Sequence, residues 1–216
     1  MTRPGPRAAI LISGRGSNMA AILDNATAEG WSDQIALVAS NRPEAEGLGL
    51  ATARGVPTAV LDHQPYGTEH RGRFDTDLAE LVLAHGATWV VLAGFMRILG
   101  PGFLSHFPDR ILNIHPSLLP RHPGLHTHRR ALEAGDREHG CTVHLVNESL
   151  DGGPILAQKA VPILPDDDED RLAARVLVEE QRLFPQVVRA ALEGRLQRSD
   201  ACGDPASSSQ TKAVFT

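Results

Sequence analysis

Short apolar runs alternate with longer helical patterns through the first half of the chain, and that rhythm narrows the available folds more than any other feature. The segments AAILIS (8–13), QIALVAS (34–40), PTAVL (57–61), TWVVLAGF (88–95) and RILNIH (110–115) are almost unbroken in apolar residues. A strand with one wet face alternates apolar and polar side chains, whereas a strand covered on both faces has no need to. Between the runs lie SNMAAILDNATAEG (17–30), EAEGLGLATARG (44–55) and RGRFDTDLAELVLAHG (71–86), each closing on a glycine. Glycine is the residue that most readily takes the left-handed conformation at a helix end. The repetition predicts an α/β fold, a Rossmann-like, doubly wound and mostly parallel sheet.

After residue 127 the rhythm changes. THRRALEAGD (127–136) reads as a short helix, and CTVHLV (141–146) and ILAQKAVPI (155–163) read as strands joined by the turn-rich NESLDGG. So short a connection favours an antiparallel pair, which makes an antiparallel C-terminal extension of the sheet. The acidic PDDDED (165–170) precedes a helical pattern to about residue 193, and carboxylates suit a helix N-terminus. We expect one domain over 1–198, with a phosphate-binding half to about 105 and a catalytic half from 106. The polar, unpatterned 199–216 is expected to be a disordered tail.

Composition excludes several functions. A formal charge of −5 argues against a general nucleic-acid surface. No apolar run reaches the length of a bilayer span, and the run near the N-terminus is cut by Ser13, Gly14 and Gly16, unlike a secretory signal. With two cysteines, Cys141 and Cys202, a disulfide framework is not expected and a reducing cytoplasm is the plain reading.

The first candidate site is the loop Gly14-Arg15-Gly16-Ser17-Asn18 between the first strand and the first helix. Glycines let the backbone approach an anion, and a helix N-terminus offers it free N–H groups. A dinucleotide fits poorly: Met19 stands where a third glycine would be, and Asn41 rather than an acid ends the second strand. No Lys-Ser/Thr follows as in a Walker loop. The loop reads as a cradle for a lone phosphate, or as a tight turn with a serine cap.

The second candidate lies in RILNIHPSLLPRHPGLHTH (110–128). Alternate side chains of a strand share a face, so Asn113 and His115 point the same way and Ile114 points oppositely. An imidazole exchanges protons near neutral pH, and an amide N–H can hold an oxyanion forming on a carbonyl. Together they suit acyl-type transfer. No G-x-S-x-G elbow is present. Asp151, in SLDGGP, is the carboxylate that could orient His115; it could equally be an ordinary turn aspartate. Seven of the ten histidines fall between 106 and 144, but H-x-H in a loop lacks fixed ligand geometry. Surface or capping roles are the reading for His122, His126, His128 and His139, and no metal is expected.

Taken together, LISGRGSN, VVLAGFMRIL, LNIHPSLLP, HPGLHTHRRAL, EHGCTVHLV and LDGGPI closely resemble the phosphoribosylglycinamide formyltransferase family over about residues 8–197. N-x-H-P-S-L-L-P with a later D-x-G-P-I is common to transferases and hydrolases that use 10-formyltetrahydrofolate, so it carries the chemistry and not the acceptor. SGRGSN and PGLHTHRRALEAGDREHG carry the acceptor.

The resemblance implies catalysis by Asn113, His115 and Asp151. It implies acceptor binding by Gly16, Ser17, Asn18, Met19 and Ala20 at the phosphate, and by Leu177, Val178, Glu179 and Glu180 at the glycinamide end. Folate would meet Arg71, Met96, Arg97, Ile98 and Leu99, with Asn113 and Asn147, Glu148, Ser149, Leu150 and Asp151 closing over the pterin. 10-Formyltetrahydrofolate would be a co-substrate in purine synthesis. Partners would be small molecules rather than nucleic acid or membrane, and a homodimer stays open. Rival readings are transfer to another amine such as a sugar nucleotide, a metal hydrolase, and a non-catalytic phosphate-binding domain.

Overall fold

The computed structural model describes residues 5–196; the expected tail at 199–216 lies outside them. Each apolar run becomes a strand: β1 (Ala8–Ile12), β2 (Ile35–Ser40), β3 (Thr58–Val60), β4 (Trp89–Leu92) and β5 (Ile111–His115). Helices α1 (Ser17–Ala28), α2 (Glu46–Ala53) and α3 (Arg71–Ala84) separate the first four. Gly30, Gly55 and Gly86, the glycines read as helix stops, take φ of 74°, 72° and 75°. The short α4 (Pro101–Leu104) precedes β5, and α5 (Thr127–Glu133) follows it. Then come β6 (Glu138–Leu145), β7 (Ile155–Pro162) and the long α6 (Glu169–Leu192), with Asp168 accepting the Arg171 N–H as its cap.

One seven-stranded sheet results, in the order β3-β2-β1-β4-β5-β6-β7. Pairing is parallel from β3 to β5 and antiparallel through β6 and β7. Ile10, Ile12 and Ile114 pack with Met19 of α1 and Val176 and Phe184 of α6 on one face. Leu11, Val90 and Ile111 pack with Phe74 and Leu78 of α3 and Phe103 of α4 on the other. Full burial of such a side chain contributes about 1.5–3 kcal/mol, so both faces of the centre are occupied.

Two strand ends differ by three residues from the sequence reading. β4 ends at Leu92 because Gly94, at φ 78°, turns the chain away. β6 begins at Glu138, ahead of its apolar run, because pairing with β7 extends from His144↔Ile155 to Glu138↔Pro162. Cross-strand hydrogen bonds override the polar sequence there. α4, four residues long and started by Pro101, has too little sequence to show a helical period.

Candidate active site

Phe74 and Leu78 of α3 pack on one sheet face with Leu11 of β1, Val90 of β4 and Ile111 at the start of β5. Asn113 and His115 lie on this same face, since Ile111, two and four residues before them, packs under α3 while Ile114 packs on the opposite side. β6 brings His144 opposite Asn113 and Thr142 opposite His115; directly paired residues share a face. Four polar side chains therefore stand together where helix gives way to loop.

Two loops cover them instead. The strap after β5 is pinned by Thr142, whose hydroxyl donates to the Ser117 carbonyl at 2.6 Å and accepts the Leu119 N–H at 3.0 Å. His115 Nε2 donates to the His122 carbonyl at 3.0 Å. The β6–β7 turn brings Asp151, whose Oδ2 lies 3.5 Å from His115 Nδ1 and accepts the Gly124 N–H at 2.8 Å. His115 is thus not open to solvent at the strand tip; it is 5% exposed and held at both ring nitrogens. Asp151, His122 and His126 take φ of 49°, 52° and 58°, left-handed backbone that costs non-glycine residues energy and gathers at functional sites. Gly153 allows the turn: a Cβ there would sit 1.8 Å from the Leu145 carbonyl oxygen.

His144 is a site residue that the sequence reading missed. Its Nε2 lies 3.1 Å from the Asn113 amide nitrogen and 3.8 Å from Asp151 Oδ1. Burial pushes its pKa down. The available signal was CTVHLV itself, since strand alternation puts Thr142 and His144 on one face; the register against β5 was needed to give it meaning.

The cradle sits at the C-terminal ends of β1 and β2. Gly16 caps α1 at φ 74° with no side-chain hydrogen bond, so the alternative of a serine cap is not what forms and the first-turn N–H groups keep their capacity for an anion. Gly47 of α2 braces it: its N–H donates to the Gly14 carbonyl at 3.1 Å, and a Cβ on Gly47 would meet Ile12 Cδ1 at 2.6 Å and Gly16 Cα at 3.1 Å. Asn18 Nδ2 donates to Glu180 of α6 at 2.8 Å, tying the cradle to that helix. Burial raises the Glu180 pKa against the opposing pull of that bond, and Asn18 Oδ1 is buried without a partner. Leu177, one turn earlier, shares the Glu180 side of α6. Val178 is exposed and Glu179 pairs with Arg182 at 2.8 Å.

Buried Ser13 links this cradle to the loop after β4. Its hydroxyl donates to Asn41 Oδ1 at 2.6 Å and accepts the Met96 N–H at 2.8 Å. In that loop Met96 and Ile98 are 64% and 59% exposed, while Leu99 is buried in the core under α3. Arg97 lies 4.6 Å over the Phe74 ring with Nε buried and unpartnered, and Arg71 Nη2 donates to the Ile98 carbonyl at 2.6 Å. Asp75 accepts the Gly100 N–H at 2.9 Å, and burial raises its pKa. In the β6–β7 turn, Asn147 Oδ1 accepts the Ser149 N–H at 2.9 Å, Glu148 is exposed, and Leu150 is 59% exposed.

The histidine cluster is more internal than the sequence suggested. His139 is 1% exposed and lies 3.1 Å from the His128 ring, and burial pushes its pKa down to about 4. His122 pairs with Asp136 at 2.7 Å. Among the described residues, no three His, Cys, Asp or Glu side chains converge as a metal-ligand group.

A doubly wound sheet with a free helix N-terminus at one strand end, and an amide, an imidazole and a carboxylate gathered nearby, defines a group-transfer enzyme. The chain belongs to the formyl transferase family, which it matches over residues 6–188. It is 45% identical over 188 residues to phosphoribosylglycinamide formyltransferase of Escherichia coli (strain K12), covering 87% of this chain and 88% of that one. The trifunctional purine biosynthetic protein adenosine-3 of Homo sapiens is 40% identical over 191 residues, 88% of this chain and 19% of that protein. The crystal structure of glycinamide ribonucleotide transformylase 1 from Symbiobacterium toebii matches with a TM-score of 0.85 at 45% identity, over 91% of this chain and 92% of that one. Among the described residues no helix is long and apolar enough to cross a membrane.

Proposed function

We propose that this chain transfers the formyl group of 10-formyltetrahydrofolate to the amine of N1-(5-phosphoribosyl)glycinamide, giving the N2-formyl product and tetrahydrofolate. The observation that carries the reading is Asn113 beside His115 on one strand face, with Asp151 turned onto the His115 ring at 3.5 Å. The family match and the names of the relatives support formyl as the group and glycinamide ribonucleotide as the acceptor.

In this reading the α1 N-terminus, residues 16–20, holds the ribose phosphate. Glu180, with Leu177 beside it, faces the glycinamide end, where a carboxylate suits an amine. Met96, Ile98 and Leu150, exposed apolar side chains that water covers poorly, line the folate site with Arg97 and Arg71, and residues 147–151 close over the pterin. Leu99 serves from the core as the anchor of that loop.

The amine nitrogen attacks the formyl carbon and a tetrahedral oxyanion forms. The Asn113 N–H donates to that oxygen. The proton on His115 Nε2, now given to the His122 carbonyl, passes to folate N10 as the carbon–N10 bond breaks. Asp151 accepts on the Nδ1 side and keeps the ring aimed, and the proton lost by the attacking amine replaces the one given up at Nε2. Holding both substrates makes the step effectively intramolecular.

A steady-state assay with both substrates and a no-acceptor control tests this by following tetrahydrofolate absorbance. The reading expects release that requires acceptor and needs no added metal. Release in the control alone would make the chain a hydrolase, and release only with another amine would change the acceptor.

A further inference from the structure

His144 lies beside the catalytic group without a place in the steps above. Its ring is 2% exposed and both nitrogens are engaged. Nδ1 lies 2.9 Å from the Leu145 carbonyl oxygen. A carbonyl only accepts, so Nδ1 carries the proton, and in a neutral imidazole Nε2 is then a bare acceptor. The group facing Nε2 at 3.1 Å is the Asn113 side chain. It must present its NH2 end there, because its oxygen would meet a lone pair.

We infer that His144 is the positioning residue that sets the orientation of the Asn113 amide, taking one N–H and leaving the second for the formyl oxygen. This deepens the proposed reaction and rests on that reading. An amide can sit either way round at nearly the same shape. Reversed, it would set an oxygen against a developing oxyanion, so the imidazole decides whether the site stabilises or opposes the intermediate.

The same arrangement reserves Asp151. Its Oδ2 lies 3.5 Å from His115 and its Oδ1 lies 3.8 Å from His144, so one carboxylate faces two imidazoles. Asp151, His115 and the Asn113 amide are the polar side chains facing His144 from β5 and the β6–β7 turn. A proton on His144 Nε2 would collide with the Asn113 NH2 and draw Asp151 from His115. Burial disfavours that proton, and His115 adds to the effect, against the Leu145 carbonyl and Asp151. His144 stays neutral, and the carboxylate serves His115.

Two substitutions separate the ring's nitrogens. An asparagine amide reaches the position of Nδ1, and a glutamine amide reaches that of Nε2. His144→Asn keeps the Leu145 contact and loses the hold on Asn113; we expect turnover to fall about 10²-fold, as when an oxyanion donor is lost, with both KM values little changed. His144→Gln is expected to retain at least about tenfold more turnover than His144→Asn.

A double-mutant cycle decides between acting through Asn113 and acting alone. Asn113→Ala/His144→Asn should be no slower than Asn113→Ala within about threefold, because the second change removes what the first already lost. Multiplying losses, full activity in His144→Asn, or better rescue by asparagine than by glutamine would overturn the inference. All three leave the proposed reaction standing if wild type turns over and Asn113→Ala is slow. Wild type that transfers no formyl to glycinamide ribonucleotide would instead remove the reaction on which the inference rests.

Discussion

The parallel and antiparallel ends of the candidate site build binding and chemistry from different materials. At β1 and β2 the proposed anion site is backbone: an uncapped helix start, two glycine loop positions, and Gly47 packed against Gly16. At β5 and β6 the site is side chains, with Asn113, His115, Thr142 and His144 set on one face by antiparallel register. A backbone site depends on local conformation and close approach. A side-chain site depends on which strand lies next to which. The first should respond to added bulk, the second to deleted functional groups.

The largest expected effect is at the antiparallel end. Asn113→Ala and His115→Ala should fold with an unchanged circular dichroism spectrum and lose about 10²–10³ in kcat. Near-normal rates in both would break the division, because chemistry would then lie elsewhere.

Gly47→Ala tests the cradle. Its Cβ has no room between Ile12 and Gly16, and overpacking of this kind costs about 1–3 kcal/mol. We expect KM for the phosphate-bearing acceptor to rise about tenfold or more while KM for the folate and kcat stay near wild type. A fall in kcat alone would mean that the two ends are not separable.

Glu180→Gln sharpens the boundary between them. Burial raises the Glu180 pKa above its ordinary 4.5, so the folded state disfavours the ionised carboxylate. That penalty is absent below pH 4.5, appears as pH rises through the raised value, and is complete above it. At neutral pH the variant should therefore melt a few degrees above wild type, with the difference vanishing in acid. Acceptor affinity should drop about tenfold, the scale of a lost charged hydrogen bond. Thermal melts across pH and calorimetric titration read the two effects separately.

The smallest effect lies away from both ends. Arg175 holds the Asp167 carboxyl down to about 2, helped by the Leu164 N–H. Its contribution is present above the ordinary 3.8 and is lost as pH falls toward 2. Asp167→Asn should flatten the acid limb of the stability profile and leave kcat unchanged.

This contrast also explains what could be read in the chain. The cradle was legible because its parts are contiguous: a strand, Gly14 and Gly16, then a helix. The parallel strands were legible because burial on both faces leaves unbroken apolar runs. Asn113 and His115 could be paired from strand alternation alone, and Asp151 needed the family resemblance to rank above an ordinary turn residue. His144 was not legible, since its meaning comes from lying opposite Asn113 across a pairing that no local pattern states. Val178 and Glu179 were read with Glu180 as one contiguous stretch, and what the fold adds is that Val178 is exposed and Glu179 pairs with Arg182. The start of β6 at Glu138 and the anchoring role of Leu99 likewise depend on neighbours distant in sequence.

The most direct test is one variant measured twice. Asn113→Ala should bind phosphoribosylglycinamide in a calorimetric titration within about threefold of wild type, while its turnover with 10-formyltetrahydrofolate falls about 10²–10³-fold. Affinity and turnover falling together, or turnover surviving, would contradict a chain that binds the acceptor phosphate at one end of its site and reacts at the other.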